Sequence, residues 1–345
     1  MRIVVVSPVD RARRRRRRSP SRAVYARRRV AALVAAGTPV LAVALLLASG
    51  SRPPGAAAAR VNAASRSLVH SAALKRTKKA LLTAAAPVVS APTAPGPAWS
   101  VVASVTGQPA VWLAQRGGVT LLRFDQAYVR VDLHAGSLDG GATGWKYGNQ
   151  ITRREIHRVI AGFNGGFKLT YANVGFVSGG HVAVPLKSGL ASIVTYSDGR
   201  TDIGAWGAGV PQAGAAVFSV LQNQSLLVDG GIAASTVSSC IITCWGATIQ
   251  SLTIVARSAL GVTASGDLVW AAGEHLTPAS LANALIGVGV VRAVELDINP
   301  DWVAGYLYPH HANGPSAVPV VPGQIGIAGQ LLSPDSRDFL TVVAS

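Results

Sequence analysis

Short apolar segments separated by glycine-containing turns dominate the chain from residue 99 to residue 345. Val129, Val131 and Leu133 alternate with polar residues, which is typical of a strand with one buried face. Apolar runs of the same length predict further strands over 110–115, 119–124, 127–134, 191–196 and 201–206. Many short strands joined by turn residues predict a strand-rich domain.

The segment from residue 253 to residue 301 has the most regular pattern. It predicts a β-hairpin over 253–272, followed by a helix and then by a strand over 290–296. Thr277 is a suitable N-cap for that helix, and Pro278 suits its first position. A hairpin followed by a helix and a strand favours the α+β class over a doubly wound sheet.

We therefore predict one α+β domain over residues 99–345, with a mixed sheet and a few packed helices. Thr152 and Glu155 have the spacing of a capping box, so a further short helix is expected there.

Three segments of different composition precede this domain. Residues 1–29 are rich in arginine, residues 30–48 are uncharged and apolar, and residues 49–98 are rich in Ala, Pro and Ser. An apolar segment of that length is just sufficient to cross a bilayer, and the arginines before it predict a cytoplasmic tail and an exported body. We expect a single-pass anchor in the cell membrane followed by a disordered linker. Cleavage near Gly50, which would give a secreted protein, stays open.

The net charge of +17 lies almost entirely in the N-terminal part. Residues 1–79 carry 19 of the 32 basic residues and a single acidic residue, Asp10, whereas residues 80–345 carry 13 basic and 14 acidic residues. A nearly neutral body argues against nucleic-acid binding by the folded domain. Salt-sensitive binding of nucleic acid by the arginine tail is a separate alternative.

Cys240 and Cys244 are the two cysteines of the chain. In an exported domain, two cysteines four residues apart are expected to form a local disulfide. A metal site is disfavoured, because no histidine lies within thirty residues of either cysteine.

Asn164 follows an apolar run and is itself followed by Gly165 and Gly166. Two adjacent glycines permit a close approach of the backbone to another group, which suits a binding cleft. Asn-Gly is also a common hairpin turn, so both interpretations stay open. Asp229, which precedes two further glycines, has the same two interpretations.

Glu295 and Asp297 alternate with apolar residues at the end of a predicted strand, so their side chains share one face. Paired carboxyls can supply general acid and base, bind a divalent cation, or simply be solvated at an edge. Arg257 interrupts another apolar strand. If it points inward, it requires an anionic partner, either a carboxylate or the phosphate of a ligand.

Several of these segments occur in one order along the chain: Phe-Asn-Gly-Gly-Phe at 163–167, Leu-Val-Asp-Gly-Gly at 227–231, Ala-Arg-Ser-Ala-Leu-Gly at 256–261 and Ser-Gly-Asp at 265–267. Together with the helix-to-strand passage at 276–296 they resemble the phosphodiester glycosidase family. The resemblance covers about residues 159–301 and extends to a predicted terminal strand, Arg-Asp-Phe-Leu-Thr-Val at 337–342.

The chain departs from the family pattern at one loop. Where the family has Asn-Leu-Asp-Gly-Gly-Gly-Ser, the sequence from Glu295 to Asp301 is Glu-Leu-Asp-Ile-Asn-Pro-Asp. Asp297 is retained, but the three glycines are not. Lys168 also stands where the family usually has an aromatic residue.

The resemblance implies an exported, membrane-tethered hydrolase that cleaves the bond between the anomeric carbon of a sugar and a phosphodiester, in envelope polysaccharides or similar substrates. It implies that Asn164 orients the substrate and that Arg257 stabilises the phosphate leaving group. Asp297, with Glu295 or Asp229, would supply acid, base or cation contacts, although no cofactor is certain. Further substrate contacts are expected at Gly165, Gly166, Lys168, Asn299 and Asp301. The alternative is a non-catalytic envelope protein whose altered loop binds a glycan.

Overall fold

The computed structural model describes residues 3–5, 96–141, 144–311, 314–327 and 329–345. The predicted membrane-spanning segment, 30–48, lies outside these ranges. Within them, every helix is too short or too polar to cross a bilayer.

The described strands and helices are mostly short. In chain order they are β1 (Ile3–Val5), β2 (Ser100–Val105), β3 (Gln108–Arg116), β4 (Val119–Phe124), β5 (Val129–His134), β6 (Val159–Asn164), α1 (Leu169–Ala172), β7 (Phe176–Ser178), β8 (His181–Val184), β9 (Ala191–Tyr196), β10 (Thr201–Ala205), β11 (Val217–Gln222), β12 (Leu226–Asp229), β13 (Ile232–Ala233), α2 (Ile241–Cys244), β14 (Val255–Thr263), β15 (Leu268–Leu276), α3 (Pro278–Ile286), β16 (Val290–Glu295), β17 (Gly305–Leu307), β18 (His310–His311), β19 (Gly314–Pro315), β20 (Val318–Pro319) and β21 (Phe339–Ala344).

The strands form three larger sheets and one two-stranded ribbon. The largest sheet has the order β1-β2-β3-β4-β15-β14-β16-β12-β13, and the two five-stranded sheets have the orders β10-β9-β11-β7-β8 and β20-β17-β6-β21-β5. The strands predicted at 110–115 and 119–124 are present as the antiparallel pair β3–β4, and the β-hairpin predicted at 253–272 is present as β14–β15. The strand-rich α+β prediction is therefore confirmed at this level.

The prediction of a mixed sheet was wrong. Every pair of named strands in the described ranges is antiparallel, and parallel pairing is confined to two isolated bridges, Gly136 with Gly140 and Trp206 with Val210. The physical reason is that tight turns join many of the consecutive strands, whereas parallel neighbours would need long crossovers.

Side chains from all three larger sheets meet in one apolar core. Trp270 on β15, Phe163 on β6 and Ile193 on β9 belong to it, and the rings of Phe163 and Trp270 stack with their centroids 5.3 Å apart. Because successive strand residues face opposite sides, Ala271 instead faces helix α3 and packs near Leu281. The nine-stranded sheet is consequently covered on both faces.

Helix α3 begins as the sequence predicts. Thr277 accepts a hydrogen bond from the backbone N–H of Ser280, the side chain of Ser280 accepts one from the Thr277 N–H, and Pro278 occupies the first turn. The helix at residue 152 was predicted wrongly. Thr152 and Glu155 do form the reciprocal hydrogen bonds of a capping box, but the chain makes only turns before it enters β6.

Strand β1 pairs with the edge strand β2, with Ile3 opposite Val105. The rest of the predicted cytoplasmic tail, residues 1–29, lies outside the described residues.

A substitution at Gly305 on β17 would test how tightly the core is packed. A Cβ atom at this position would lie 2.4 Å from Cη2 of Trp270, a rigid ring that cannot move aside. Gly305→Ala is expected to lower the free energy of unfolding by about 1–3 kcal/mol. Urea unfolding measures this. Gly148→Ala is the control, because its Cβ would meet no atom within 4 Å, and it is expected to change stability by less than about 0.5 kcal/mol. Equal effects of the two substitutions would contradict the packing described here.

Candidate active site

Three chain segments meet at one end of the β6–β21 pair. Strand β6 ends at Asn164, β16 is followed by Asp297, and Asp338 directly precedes β21. The Gly165 N–H donates to the carbonyl of Asp338 at 3.1 Å, and the Asp297 N–H donates to the carbonyl of Gly165 at 3.0 Å. These two backbone bonds fix the predicted Asn164 and Asp297 segments side by side.

Gly165 is required by the close approach of a carboxylate. A Cβ atom on Gly165 would lie 2.0 Å from Oδ2 of Asp338, and the neighbouring Gly166 N–H donates to that same oxygen at 2.9 Å. The partners of β6 are β17 and β21, so Asn164 does not initiate a hairpin. Of the two interpretations left open by the sequence, the cleft loop is the one observed.

Arg337 lies at the centre of this arrangement. Its Nη2 is 2.7 Å from Oδ2 of Asp297 and donates to the carbonyl of Gly166 at 2.8 Å, while its Nε pairs with Oδ2 of Asp139. The guanidinium carbon also lies 5.5 Å from the centroid of the Trp302 ring. One buried cation therefore joins two carboxylates, a backbone carbonyl and an aromatic ring.

The carboxyls around Arg337 differ in their hydrogen-bond and ion-pair partners. Asp297 pairs with Arg337 and accepts a 2.8 Å hydrogen bond from the Asn299 N–H. Asp338 accepts a hydrogen bond from the Gly166 N–H. Burial raises the pKa of Asp338 to about 7, against the opposing effect of Arg337. Burial likewise raises the pKa of Asp297, again against the effect of Arg337. At neutral pH the site can therefore hold a proton on a carboxyl.

Asn164 ties β6 to β14. Its Nδ2 donates to Oγ of Ser258 at 2.8 Å and to the carbonyl of Gly165 at 3.0 Å. Ser258 in turn donates to the carbonyl of Asp297 at 3.0 Å. Asn164 lines the cleft, and these bonds hold its side chain in place.

Arg257 and Glu295 form a second, deeper ion pair. Nη1 of Arg257 lies 2.7 Å from Oε1 of Glu295 and donates to the carbonyl of Trp245 at 2.9 Å. Arg257 has no exposed surface and Glu295 is 1% exposed. Neither residue lines the cleft, so the expected contact between Arg257 and a phosphate is not present in this arrangement. The carboxylate partner, one of its two predicted alternatives, is observed instead.

The buried ion pair is incompletely satisfied. Among the described residues, Nη2 of Arg257 and Oε2 of Glu295 have no hydrogen-bond partner. Burial raises the pKa of Glu295 to about 8, with the Arg257 charge opposing that rise and the nearby Asp297 adding to it. Burial therefore favours the protonated carboxyl of Glu295, whereas the Arg257 contact favours its ionised form.

Asp229 lies apart from this cluster. It is the last residue of β12, opposite Ile232 of β13, and Gly230 and Gly231 between them have φ values of +57° and +77°. Such angles define a two-residue hairpin turn of the I′ kind, so the turn interpretation is the one observed. Asp229 is exposed, and β12 runs antiparallel to β16, which carries it toward the end of β16 away from Glu295.

The remaining predicted contacts lie at the surface or stabilise the loop. Lys168 is exposed, and its ammonium lies 5.7 Å from the centroid of the Tyr171 ring. Asn299 accepts a hydrogen bond from the Asp301 N–H at 3.0 Å, and its carbonyl accepts one from Trp302 at 2.8 Å. Asn299 and Asp301 therefore organise the turn that carries Trp302, and neither lines the cleft.

The cleft itself is narrow. Asn164, Gly166, Asp297, Trp302 and Arg337 are among its lining residues. Its volume of about 10 Å³ leaves room for about one water molecule.

Arg337, Asp338 and Asp139 were missed as site residues by sequence reasoning. Arg337 and Asp338 precede an ordinary apolar strand, which suggests no chemistry. Asp139 is followed by Gly140 and Gly141. The same Asp-Gly-Gly pattern marked Asp229 as a candidate. For Asp139, this pattern was the one sequence signal that could have indicated a site residue.

The structure pairs Cys240 with Cys244 in a disulfide, with the two Cα atoms 5.4 Å apart. No group of three or more His, Cys, Asp or Glu side chains in the described ranges is arranged to hold a metal ion.

Comparison with known proteins gives only distant similarities. No protein-family model matches the sequence, and none of the curated proteins matches it. The catalytic domain of zebrafish N-acetylglucosamine-1-phosphodiester alpha-N-acetylglucosaminidase, auto-inhibited by its pro-peptide, is similar in structure with a TM-score of 0.43 and 13% identity, over 68% of this chain and 78% of that chain.

Two bacterial structures are similar to a comparable degree. A hypothetical protein from Synechocystis has a TM-score of 0.41 and 12% identity, over 73% of this chain and 64% of its own. A putative exported protein from Burkholderia pseudomallei has a TM-score of 0.35 and 10% identity, over 69% of this chain and 75% of its own. At these values the similarities do not assign a function to this chain.

The raised pKa of Glu295 makes stability depend on pH. The folded protein keeps a proton on Glu295 up to about pH 8, whereas the unfolded chain loses it near the ordinary value of 4.5. This contribution to stability is therefore complete below about pH 4.5 and is lost as the pH rises to about 8. Asp338, with its pKa raised to about 7, likewise contributes stability at low pH that is lost as the pH rises.

We predict that the wild-type protein unfolds at lower urea concentration at about pH 8.5 than at about pH 5.5. Glu295→Gln, which cannot ionise, is expected to reduce that difference in unfolding free energy by more than about 1 kcal/mol. Asp198→Asn is the control, because the Asp198 side chain is 61% exposed, and it is expected to leave the difference unchanged. A Glu295→Gln protein with the full wild-type pH dependence would contradict the raised pKa of Glu295.

Proposed function

We propose that this protein is a hydrolase that cleaves the bond between the anomeric carbon of a sugar and a phosphodiester, as the resemblance of its motifs to phosphodiester glycosidases implies. The observation that carries the proposal is the pair of buried carboxyls, Asp297 and Asp338, held beside Arg337 in one cleft. Two carboxyls with different environments suit acid–base hydrolysis at an anomeric centre.

The two carboxyls have different roles in this proposal. Asp297, which contacts Arg337 and the Asn299 N–H, accepts the proton of the water that attacks the anomeric carbon. As the bond from that carbon to the phosphate oxygen breaks, Asp338 donates its proton to the departing oxygen. Both aspartates thereby exchange protons with the substrate and water, and none is lost or gained overall.

Arg337 takes the role that the sequence assigned to Arg257. Arg337 lines the cleft, and its guanidinium can stabilise the negative charge of the departing phosphate. Arg257 supports the site from behind through Glu295. Trp302, which lies over Arg337, offers a ring face on which a sugar can stack.

Helix α1, which is bonded to the Arg337 cluster, supports a substrate class. Leu169 donates its N–H to Oδ1 of Asp139, so helix α1 is attached directly to the Arg337 cluster. Two residues farther along, Tyr171 is 84% exposed, with the Lys168 ammonium near its ring. An exposed aromatic beside a cation favours an anionic saccharide, such as an envelope polysaccharide containing phosphodiesters.

We place the domain outside the cytoplasm, anchored through residues 30–48. The Cys240–Cys244 disulfide supports this location, because disulfides persist in oxidising compartments.

A glycan-binding protein without catalysis is the second candidate. The loop from Glu295 to Asp301 favours it, because that loop lacks the three glycines of the phosphodiester glycosidase pattern. In both candidates, a cleft volume of about 10 Å³ admits a sugar only if the Trp302 loop moves. Both candidates use the same surface, and hydrolysis distinguishes them.

Substitution of Asp297 and Asp338, two of the three aspartates that line the cleft, tests the enzyme proposal. Asp297→Asn and Asp338→Asn are each expected to lower kcat for a synthetic sugar-1-phosphodiester by about 10²–10⁴-fold, because each removes a proton-transferring group. Asp229→Asn is the matched control on the exposed hairpin turn and should retain wild-type activity. Chromatography of the released sugar measures the rate.

A wild-type protein that binds the saccharide with no detectable turnover would sink the enzyme proposal and support the glycan-binding alternative. Full activity in both cleft variants would show that hydrolysis occurs elsewhere.

A further inference from the structure

The disulfide turn, residues 240–246, lies directly behind the candidate active site. The bond between Cys240 and Cys244 closes a single helical turn, in which the Cys244 N–H donates to the Cys240 carbonyl and the Trp245 N–H donates to the Ile241 carbonyl, both at 3.0 Å. The disulfide thus fixes the direction in which the chain leaves the turn at Trp245.

Trp245 connects the turn to the buried ion pair. Its side chain is completely buried against Leu227 and Leu281. Its carbonyl accepts the 2.9 Å hydrogen bond from Nη1 of Arg257, and the same nitrogen contacts Glu295. A displaced Trp245 would therefore leave a buried arginine without one of its acceptors.

Gly246 connects the turn to both loops of the cleft. Its φ is +98°, and a Cβ atom there would lie 2.5 Å from Cδ1 of Ile298 and 3.0 Å from Cζ of Phe167. Ile298 directly follows Asp297, and Phe167 directly follows Gly166. The backbone of the turn therefore packs against the segment that carries the candidate base Asp297 and against the segment that carries Asn164.

We infer that the Cys240–Cys244 disulfide is a positioning device whose reduction loosens the active site. In the oxidised protein it holds Trp245 and Gly246, which in turn hold Arg257 and the loops at 164–168 and 296–299. A small dithiol would reduce the bond to two thiols and would itself be oxidised to a disulfide. Both cysteines are half-buried, so such a reagent can reach them.

The first test measures amide hydrogen exchange of the full chain by mass spectrometry, which requires no catalysis. Reduction with dithiothreitol and the substitution Gly246→Ala are each expected to accelerate exchange about tenfold in peptides covering 163–168 and 296–303. Gly246→Ala keeps the disulfide intact, so its result stands even if the reduced protein unfolds.

Gly266→Ala is the matched control. Gly266 has a similar φ of +92°, but a Cβ atom there would meet nothing within 4 Å. It carries the same backbone strain without the contact and should leave exchange in both peptides unchanged. Unchanged exchange in those peptides after reduction would overturn the inference, as would unchanged exchange in Gly246→Ala or equal acceleration by Gly266→Ala.

The second test rests on the proposed function. Gly246→Ala is expected to lower kcat about tenfold with KM unchanged, because misplaced acid and base groups slow the chemical step. Accelerated exchange in a protein without turnover would uphold the positioning role and refute the enzyme. Turnover that is identical in oxidised, reduced and Gly246→Ala proteins would uphold the enzyme and refute the positioning role.

Discussion

The contact on which the candidate site depends is the guanidinium of Arg337. It binds Asp297, Asp139 and the carbonyl of Gly166, which belong to three separate loops. Without a cation at this position, carboxylates on those loops would repel one another in a buried environment. The glycines of the Asn164 segment serve the same cluster, because only a residue without a side chain allows the Asp338 carboxylate to reach the Gly166 N–H. The Arg337 side chain therefore links the conformation of these loops to the charge balance of the site.

The balance of charges in the whole cluster explains why its buried carboxyls have raised pKa values. Two arginines, Arg257 and Arg337, face four carboxyls: Asp139, Glu295, Asp297 and Asp338. Full ionisation would leave two uncompensated negative charges away from water, which is costly. Raising the pKa of Glu295 to about 8 and that of Asp338 to about 7 avoids this cost by retaining protons. The same excess of carboxyl groups that opposes folding at high pH supplies a proton donor at neutral pH.

The sequence predicted local features well and distant contacts poorly. Hairpin β14–β15 and the start of α3 follow from strand patterns and capping residues, which act over a few positions. Asn164 was identified because two glycines follow it, and Asp297 was identified because it alternates with apolar residues at the end of a predicted strand. Arg337 could not be found in this way, since its partners lie up to 198 residues away and only the antiparallel order of β6 and β21 brings them together. Arg257 was correctly expected to need an anion, but its burial, which selects Glu295 over a ligand, is a property of the packed sheet.

The proposed function requires that substrate binds at the Arg337 cleft, with the Trp302 loop moving to admit it. A crystal structure of the protein with a non-hydrolysable sugar-1-phosphonate tests it most directly. The account predicts density for the sugar against the Trp302 ring, with the phosphonate within hydrogen-bond distance of Arg337 and the anomeric carbon facing Asp297. Ligand bound instead in the separate surface groove lined by Arg130 and Arg200, with the Arg337 cleft empty, would contradict it.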